Sequence, residues 1–533
     1  MADRPSTDVV IVGAGFAGLY MLHRARREGF HARVFEAGGG VGGTWYWNRY
    51  PGARCDVESM EYSYGFDDEL QQEWEWTERY APQPEILRYA EHVAERFDLT
   101  RDITFDTRVM AATYDDATAR WRVQTDGGHD VSASFLVMAT GCLSSANIPD
   151  IPGAASFAGP SYHTGRWPHD GVDFTSQRVG VIGTGSSAVQ SIPVIAEQAS
   201  HLTVFQRTAT YTVPAWNGPL DPIEVKETKA HYAELRAANR RMFSAFGARI
   251  PRWDRSALDV SDAERAAEYE QRWQQGGLPF LAAFNDLLVD PAANETARAF
   301  VIHKLHEIVP DPALATKLTP DQVIGCKRLC VDTGYWATFN RPNVELIDLR
   351  ESPLEAITRD GIRTTAGEHP LDAIVYATGF DAMTGALSRI DIRGRRGATL
   401  TAAWEAGPRT YLGLMTAGFP DLFIVTGPGS PSVLANMIEA IQQHVDWIAD
   451  CLVHLRANGR RTIEPTVEAQ DAWVEHVNAV ADLTLFPTCS SWYLGANVPG
   501  KTRVFMPLAG FPAYVAQCEE IVAEGYRGFV LEG

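Results

Sequence analysis

Long apolar runs and a surplus of basic residues are both missing from this sequence. No apolar stretch approaches the ~18 residues that a membrane-spanning helix needs. The opening MADRPSTDVV has neither the basic nor the apolar region of a secretory signal, so none is expected. The chain carries 47 Lys and Arg against 67 Asp and Glu, a net charge of −20. Because nucleic acids and anionic membranes attract positive surfaces, this balance disfavours both as partners.

Cysteine is sparse and irregularly placed. The seven cysteines are Cys55, Cys142, Cys326, Cys330, Cys451, Cys489 and Cys518. Their number is odd and no C-x-x-C pair occurs, which disfavours a disulfide framework, a zinc ribbon and a dithiol reductase. We therefore expect a reduced, cytoplasmic protein without a metal site.

Two segments share the order strand, glycine-rich turn, helix and strand that builds a dinucleotide-binding βαβ unit. The first spans residues 8–36 and the second spans residues 178–207. Between about 218 and 325 the pattern changes to charged, amphipathic helices, and strand patterns then return. The sequence thus predicts an α/β protein with two Rossmann-like dinucleotide-binding domains, the second interrupted by a helical insertion.

The first glycine-rich turn lies after a strand and before a helix, as a dinucleotide site requires. Gly13 permits the tight turn, Gly15 lets the backbone approach a pyrophosphate, and Gly18 allows close packing of helix on strand. The pyrophosphate then lies at the positive end of the helix. Glu36 ends the second strand, where its carboxylate can accept from a ribose hydroxyl. The alternative is a tight turn beside a solvent-exposed glutamate.

The second turn has the same spacing but a different charge at the end of its second strand. Gly183, Gly185 and Ala188 form the turn, and Arg207 and Thr208 stand where the first unit has its acid. A guanidinium there suits a ribose 2′-phosphate, which predicts NADPH rather than NADH. The alternative is an ordinary surface arginine.

Two dinucleotide units in one chain, the first at its start, indicate FAD first and NADPH second. The triplets Ala139–Gly141 and Ala377–Gly379 each read A-T-G after an apolar strand and fit crossings between the two domains. The predicted FAD-binding domain is 1–142 with 382–533, the NADP-binding domain is 143–217 with 326–381, and the helical insertion is 218–325.

Two longer patterns carry a family resemblance. One reads Phe157-x-Gly159-x-x-x-His163-x-x-x-Trp167-Pro168; the other reads Gly42-Gly43-x-Trp45, then Tyr50-Pro51-Gly52-x-x-x-Asp56. The sequence resembles the type I Baeyer–Villiger monooxygenases over essentially its whole length. Segments such as G-P-G-S-P-S and W-Y-W-N-R-Y-P-G-A-R-C-D are most similar to the phenylacetone-oxidising branch of that family.

The resemblance implies an enzyme that uses FAD, NADPH and O₂ to convert ketones to esters or lactones through a flavin C4a-peroxide. It implies that Arg328 is the catalytic cation, since a guanidinium keeps its charge and can bridge peroxide and oxyanion. Asp56 would pair with Arg328 and orient it. Without the resemblance, Lys327-Arg328 is simply a basic dipeptide that is usually solvated.

The resemblance also assigns residues to each cofactor. The residues implied for FAD are Gly13, Gly15, Gly18, Glu36, Thr44, Trp45, Trp47, Asp56, Tyr62, Val109 and Met437. The residues implied for NADP are Arg54, Gly183, Thr184, Gly185, Ser186, Ser187, Arg207, Thr208, Lys327, Arg328 and Trp492. The aromatic residues in these sets could equally be packing residues of the core.

The substrate pocket is the least specified part of the resemblance. The residues it implies there are Cys142, Leu143, Ser432, Val433 and Leu434. The loop 429–434 would narrow the pocket and favour arylacetones, methyl ketones and aryl methyl sulfides over bulky fused rings, with cyclic ketones as a further class. Cys142 replaces a glutamine of the phenylacetone-oxidising branch and would open space elsewhere.

His163 invites assignment as a general base, but the resemblance places it with Trp167 in a linker that affects domain geometry. Two other functions stay open: a flavin-dependent N- or S-oxygenating monooxygenase, and a flavoprotein that senses redox state without turnover. The stretch Tyr50–Asp56 argues against the first, and the pair Arg328 and Asp56 argues against the second. The expected partners are a small ketone and O₂, with no obligate protein partner.

Overall fold

Two sheets with helices on their faces organise the chain, which this computed structural model describes for residues 5–250, 252–496, 498, 500, 506 and 509–533. The strands are β1 (Ser6–Val12), β2 (Ala32–Phe35), β3 (Ile103–Thr104), β4 (Val109–Asp115), β5 (Arg120–Thr125), β6 (Asp130–Met138), β7 (Ser161–His163), β8 (Arg178–Ile182), β9 (His201–Gln206), β10 (Thr212–Pro214), β11 (Cys330–Asp332), β12 (Val344–Asp348), β13 (Leu354–Thr358), β14 (Gly361–Thr364), β15 (Gly367–Pro370), β16 (Ala373–Tyr376), β17 (Asp391–Arg393), β18 (Leu422–Ile424), β19 (Thr462–Pro465) and β20 (Phe529–Glu532). The α-helices are α1 (Phe16–Arg27), α2 (Thr44–Trp47), α3 (Asp68–Glu73), α4 (Gln83–Arg96), α5 (Ser186–Gln198), α6 (Pro222–Ala230), α7 (Tyr232–Arg240), α8 (Asp262–Gln275), α9 (Pro291–Ile308), α10 (Pro312–Leu318), α11 (Tyr335–Thr338), α12 (Leu400–Ala403), α13 (Met437–Ala457), α14 (Val467–Asp482) and α15 (Phe511–Ala523).

The first sheet has the order β17-β4-β5-β6-β1-β2-β3, and β18 pairs with the second half of β6. Strand β1 runs parallel to both β2 and β6, with Val10 opposite Arg33 and Leu136. The β-branched run Val9–Val12 is buried, as expected for a central parallel strand. Because β17 and β18 come from beyond residue 390, late parts of the chain complete a sheet that the first residues begin.

The second sheet has the order β12-β9-β8-β16-β7 and is parallel throughout. Its central strands are buried almost along their whole length, which matches their unbroken apolar sequences. Helices α6 to α10 lie in the chain between β10 and β11, where the helical insertion is predicted. The predicted α/β class with two Rossmann-like units is confirmed.

Helix α13 brings the last third of the chain onto the first βαβ unit. Tyr20 on α1 donates a hydrogen bond to Asp446 on α13 (2.7 Å), and Arg24 forms ion pairs with Asp446 and Asp450. The start of α13 therefore lies beside the first glycine-rich turn. In the part of the chain that the structure describes, no helix is both long and apolar enough to cross a membrane.

Candidate active site

One cavity of about 1040 Å³ runs from the first glycine-rich turn to the second. Most residues predicted for cofactor and substrate border it, although they lie far apart in sequence. The predicted residues on its wall are Gly13, Gly15, Glu36, Thr44, Trp45, Trp47, Arg54, Asp56, Tyr62, Val109, Cys142, Leu143, Gly183, Thr184, Gly185, Ser186, Ser187, Arg207, Thr208, Lys327, Arg328, Val433, Met437 and Trp492. Parallel strands thus deliver both nucleotide turns and the residues between them to one space.

The first turn has the close approaches that a pyrophosphate-binding turn needs. Gly13 has φ +104°, and a Cβ there would lie 2.6 Å from the carbonyl oxygen of Ala139. A Cβ on Gly18 would collide with the carbonyl oxygen of Gly13, so the helix can pack this closely only with glycine. The turn fits a dinucleotide backbone at the start of α1.

Glu36 is buried at the end of β2 and is held in place by the turn itself. Its carboxylate accepts hydrogen bonds from the amides of Ala14 (2.6 Å) and Gly38 (2.7 Å). Burial raises the pKa of Glu36, and these backbone donors oppose the rise. The carboxylate also borders the cavity, as an acceptor for a ribose hydroxyl must. Val109, at the start of β4, borders the cavity as well.

Aromatic side chains form the next part of the wall. Trp45 donates from Nε1 to the Tyr62 hydroxyl (3.3 Å), and both residues are buried. Burial raises the pKa of Tyr62 well above its ordinary value, so its hydroxyl stays protonated. Met437 begins α13 beside them. The rings of Trp45 and Tyr62 meet edge to face at 77°, with centroids 5.9 Å apart, and form a largely apolar wall that would suit an isoalloxazine ring.

The second turn repeats the backbone of the first but leaves more space. Gly183 has φ +116°, and a Cβ added to Gly185 would meet no described atom within 4 Å. The Thr184 hydroxyl donates to the carbonyl oxygen of Thr208 (2.6 Å), which ties the turn to the segment carrying Arg207. The open position in front of the α5 N-terminus fits a pyrophosphate.

Two cations converge beside this turn. The pKa of Lys327 is lowered by burial and then by the charge of Arg207, with Asp321 opposing both. Neighbouring like charges are unfavourable unless an anion lies between them, and a 2′-phosphate would supply it. Lys327 and Arg207 therefore fit a phosphorylated ribose better than a hydroxyl. Arg54 also borders the cavity, where its Nη1 donates to Glu78 (3.1 Å) and to the carbonyl oxygen of Tyr80 (3.2 Å).

Arg328 stands between the two turns and is fixed from several sides. Its Nε and Nη2 donate to the two carboxylate oxygens of Asp56 (2.9 and 2.8 Å), and Nη1 donates to the carbonyl oxygen of Val433 (2.6 Å). Burial favours the neutral form, but Asp56 and then Tyr493 outweigh it, so the pKa of Arg328 is raised. The site therefore holds a permanent positive charge on the cavity wall.

Some predicted residues lie behind the wall. Ser432 is buried and its hydroxyl contacts Met383 Sδ (3.8 Å), while Leu434 packs as a partly buried core residue. Trp167 is buried against Tyr162 and Phe174, with ring centroids 5.4 and 6.1 Å away. The structure therefore puts Val433, rather than its neighbours, on the wall.

His163 also lies behind the wall, at the end of β7. Its Nδ1 accepts from the amide of Gly165 (2.9 Å), and Nε2 lies 3.4 Å from the Thr378 hydroxyl. Burial lowers the pKa of His163 to about 4. The neutral imidazole therefore joins β7 to the second A-T-G triplet.

The expectation of a fully reduced protein is wrong: Cys326 and Cys489 form a disulfide. They are 163 residues apart in sequence, with Cα atoms 6.3 Å apart. Sequence spacing carries no information about cysteines that meet through the tertiary fold, which explains the error. The other five cysteines are free and buried. Among the described residues, no cluster of His, Cys, Asp or Glu could hold a metal ion.

Tyr493 and the carbonyl oxygen of Val433 were missed by the sequence reasoning. Both contact Arg328, but no local pattern distinguishes Tyr493 from a packing residue, and a backbone carbonyl leaves no trace in sequence. Tyr493 is buried, and burial raises the pKa of its hydroxyl. The partners of Arg328 therefore come from three distant parts of the chain.

Comparison with known proteins places the chain among flavin-dependent monooxygenases. Residues 10–240 match the family described as pyridine nucleotide-disulphide oxidoreductase. The chain is 42% identical to a Baeyer–Villiger monooxygenase of Pseudooceanicola batsensis over 98% of this chain and 96% of that protein. It is 41% identical to a phenazine N-monooxygenase of Lysobacter antibioticus over 99% and 98%. The structure of an oxidized steroid monooxygenase bound to NADP matches at 55% identity and a TM-score of 0.94, over 99% of each chain.

Proposed function

The chain belongs to the FAD- and NADP-dependent Baeyer–Villiger monooxygenases, and from that premise we propose which of its residues carry the reaction and which ketones it takes. The protein oxidises ketones to esters or lactones with NADPH and O₂. The observation that carries the residue assignment is the Arg328–Asp56 pair on the wall of a cavity that joins both nucleotide turns.

Bound FAD supplies the oxygen-transfer chemistry and NADPH supplies the reducing equivalents. The residues present fit both groups: Gly13, Gly15 and Glu36 would hold FAD, and Arg207 and Lys327 would hold the 2′-phosphate of NADP. The chain itself binds the cofactors, orients the ketone and excludes water. The N-termini of α1 and α5 would hold the cofactor phosphates, and the buried aromatic wall would shield the reacting centre from water.

Arg328 stabilises the negative charge that develops on the carbonyl oxygen of the ketone. A fixed cation in a site that excludes water is worth far more than one in bulk solvent, because nothing must reorganise when the charge appears. Asp56 and Val433 hold the guanidinium plane, so Arg328 is the catalytic residue and Asp56 orients it. His163 and Trp167 act on geometry from behind the wall.

The proposed division into domains follows the two sheets. The first sheet uses strands from 6–138 and 391–424, and the second uses strands from 161–376. This supports FAD binding by 1–142 with 382–533, NADP binding by 143–217 with 326–381, and an insertion at 218–325. We also propose that the protein works in the cytoplasm on small ketones and needs no protein partner.

For substrates we propose ketones with a slim reacting end: arylacetones and methyl ketones, with aryl methyl sulfides as alternative acceptors of oxygen. Val433 is β-branched and stiff, and Arg328 binds its carbonyl, so this wall cannot easily withdraw from the reacting carbonyl. The resemblance to a steroid monooxygenase is compatible with this, since a fused-ring body can lie away from its reacting end.

The phenazine N-monooxygenase relative supports N-oxygenation as a second candidate activity, because it is as similar to this chain as ketone-oxidising relatives are. Product analysis with NADPH and O₂ separates the two. A panel of phenylacetone, a methyl ketone, a cyclic ketone and an aromatic N-heterocycle should give esters or lactones from the ketones. An N-oxide as the sole product would replace the ketone assignment, and NADPH binding without any product would refute both.

A further inference from the structure

The disulfide between Cys326 and Cys489 joins two neighbouring segments that both border the cavity. Cys326 is followed in the sequence by Lys327 and Arg328. Cys489 is followed by Ser490, and Trp492 is the third residue after it. Lys327, Arg328, Ser490 and Trp492 all border the same cavity. Each cysteine lies one residue before a position that lines the cavity. The covalent bond therefore fixes the distance between these two parts of the cavity wall.

The same two segments meet at a second point, where the Tyr493 hydroxyl contacts the Arg328 guanidinium. The short turn Trp492–Leu494 is closed by the Ser491 hydroxyl, which accepts from the amide of Tyr493 (3.2 Å). If the disulfide opens, the contact of Tyr493 with Arg328 must hold the walls together. A ligand that touches both walls loses binding free energy whenever they must first be brought into place.

The two cysteines differ in accessibility as a redox pair should. Cys326 is 1% exposed, whereas Cys489 is partly exposed and lies between the exposed residues Thr488 and Ser490. The other five cysteines are buried. An oxidant or reductant in solution therefore reaches Cys489 first, and Cys326 is the partner placed to complete the bond.

From this arrangement we propose that Cys326 and Cys489 form a redox-sensitive modification site whose oxidised form binds NADP more tightly than its reduced form. The inference rests on the proposed NADP site at Lys327 and Arg207. With hydrogen peroxide as the oxidant, the Cys489 thiol becomes a sulfenic acid and one water is released. The Cys326 thiol then attacks that sulfur, forms the S–S bond and releases the second water, so two thiols give two electrons and two protons in all. A dithiol reverses the change by exchange.

Thermodynamic linkage gives this proposal a two-way test. If the disulfide strengthens NADP⁺ binding by a given factor, saturating NADP⁺ must make the disulfide harder to reduce by the same factor. The flavin-loaded enzyme is equilibrated at graded ratios of reduced to oxidised dithiothreitol, with and without NADP⁺. Thiols are then alkylated and the 326–489 pair is quantified by mass spectrometry. We expect the midpoint ratio to shift by roughly five-fold or more, and the NADP⁺ dissociation constant of the reduced enzyme to rise equally.

Three variants complete the experiment. Cys489→Ser should bind NADP⁺ like the reduced enzyme and ignore dithiothreitol, and Cys326→Ser should match it. Cys451→Ala, which removes a fully buried thiol on α13, should keep the full response. Identical midpoints with and without NADP⁺ would overturn the proposal, as would free thiols at both positions under every oxidising ratio. None of these measurements needs a ketone, so a failure to form esters would refute the activity and leave this inference standing.

Discussion

The two nucleotide turns have nearly the same backbone and differ in what surrounds them. Gly15 (φ −74°, ψ −171°) and Gly185 (φ −78°, ψ −172°) precede α1 and α5 in the same conformation. A Cβ on Gly15 would lie 3.3 Å from the Cα of Gly43, whereas the same atom on Gly185 would meet no described atom within 4 Å. Among the described residues, a second segment covers the first turn and none covers the second. The two turns therefore differ in access and not in backbone conformation.

The turns also differ at the ends of their second strands. Glu36 presents a buried carboxylate, and Arg207 with Lys327 presents positive charge. Under the proposed assignment, the same backbone serves either nucleotide, and the side chains after the second strand choose between a ribose hydroxyl and a ribose phosphate. The following predictions test this division of roles, beginning where the two sites meet.

The largest effect is expected for Arg328→Ala, which removes the cation between the two turns. Ester formation should fall by on the order of 10²-fold or more, because a preorganised charge is lost where negative charge develops. Flavin reduction by NADPH should continue, and stopped-flow absorbance can follow it separately from product formation. Asp56→Asn should give a weaker form of the same defect. Near-normal ester yield from Arg328→Ala would remove it from the mechanism.

The third small residue of each turn, Gly18 in the first and Ala188 in the second, should respond differently when glycine and alanine are exchanged. Gly18→Ala forces a methyl group onto the carbonyl oxygen of Gly13, and such overpacking typically costs about 1–3 kcal/mol. The purified variant should contain less FAD per chain, measured from the ratio of flavin to protein absorbance. Ala188→Gly is the matched control and should cost at most about 1 kcal/mol of helix stability, with FAD content unchanged. Equal FAD content in both variants would show that packing at Gly18 does not support the flavin site.

Lys327→Ala should weaken binding at the proposed NADP site and leave the proposed FAD site unchanged. Charge-assisted contacts to phosphate contribute about 1.5–3 kcal/mol each, so the KM for NADPH should rise roughly ten-fold. The KM for NADH should barely change, because NADH has no 2′-phosphate. Steady-state kinetics with both nucleotides measures this. A parallel loss for NADH would mean that the side chain supports the fold and does not read the phosphate.

The smallest effect is expected for Val433→Ala, which should widen the cavity at the proposed ketone site. The substitution keeps the backbone carbonyl that accepts from Arg328, so the catalytic cation should stay in place. The ratio of kcat/KM for a cyclic ketone to that for phenylacetone should rise a few-fold. The control Leu434→Ala changes a neighbour behind the wall. The same change in ratio from both variants would show that Val433 has no specific role in substrate choice.

Local patterns predicted the parts of this protein that depend on local chain geometry. The βαβ units around Gly13 and Gly183, the helices of the insertion and α13 each have their own periodicity or turn chemistry in the sequence. The family resemblance added Arg328 and Asp56, which no local pattern marks. Without it, a basic dipeptide would have remained ambiguous.

Contacts between distant segments could not be predicted in this way. The disulfide of Cys326 with Cys489, the Tyr493 contact and the Val433 carbonyl each join segments more than 100 residues apart. Their partners meet only because two sheets place them there, and residue types alone do not record that meeting. The same reason explains why Ser432 was predicted on the cavity wall while the structure buries it behind Val433.

The pairing of β18 with β6 has a consequence for how the protein is made. During synthesis, all strands of the second sheet leave the ribosome before Leu422–Ile424, the segment that pairs with β6 in the first sheet. Domains generally fold as units while the chain is still growing. The sheet that we assign to NADP can therefore be complete while the sheet that we assign to FAD still lacks β17, β18 and the neighbouring helix α13. Newly made chains should therefore complete the second sheet before the first, although the first glycine-rich turn is translated earliest.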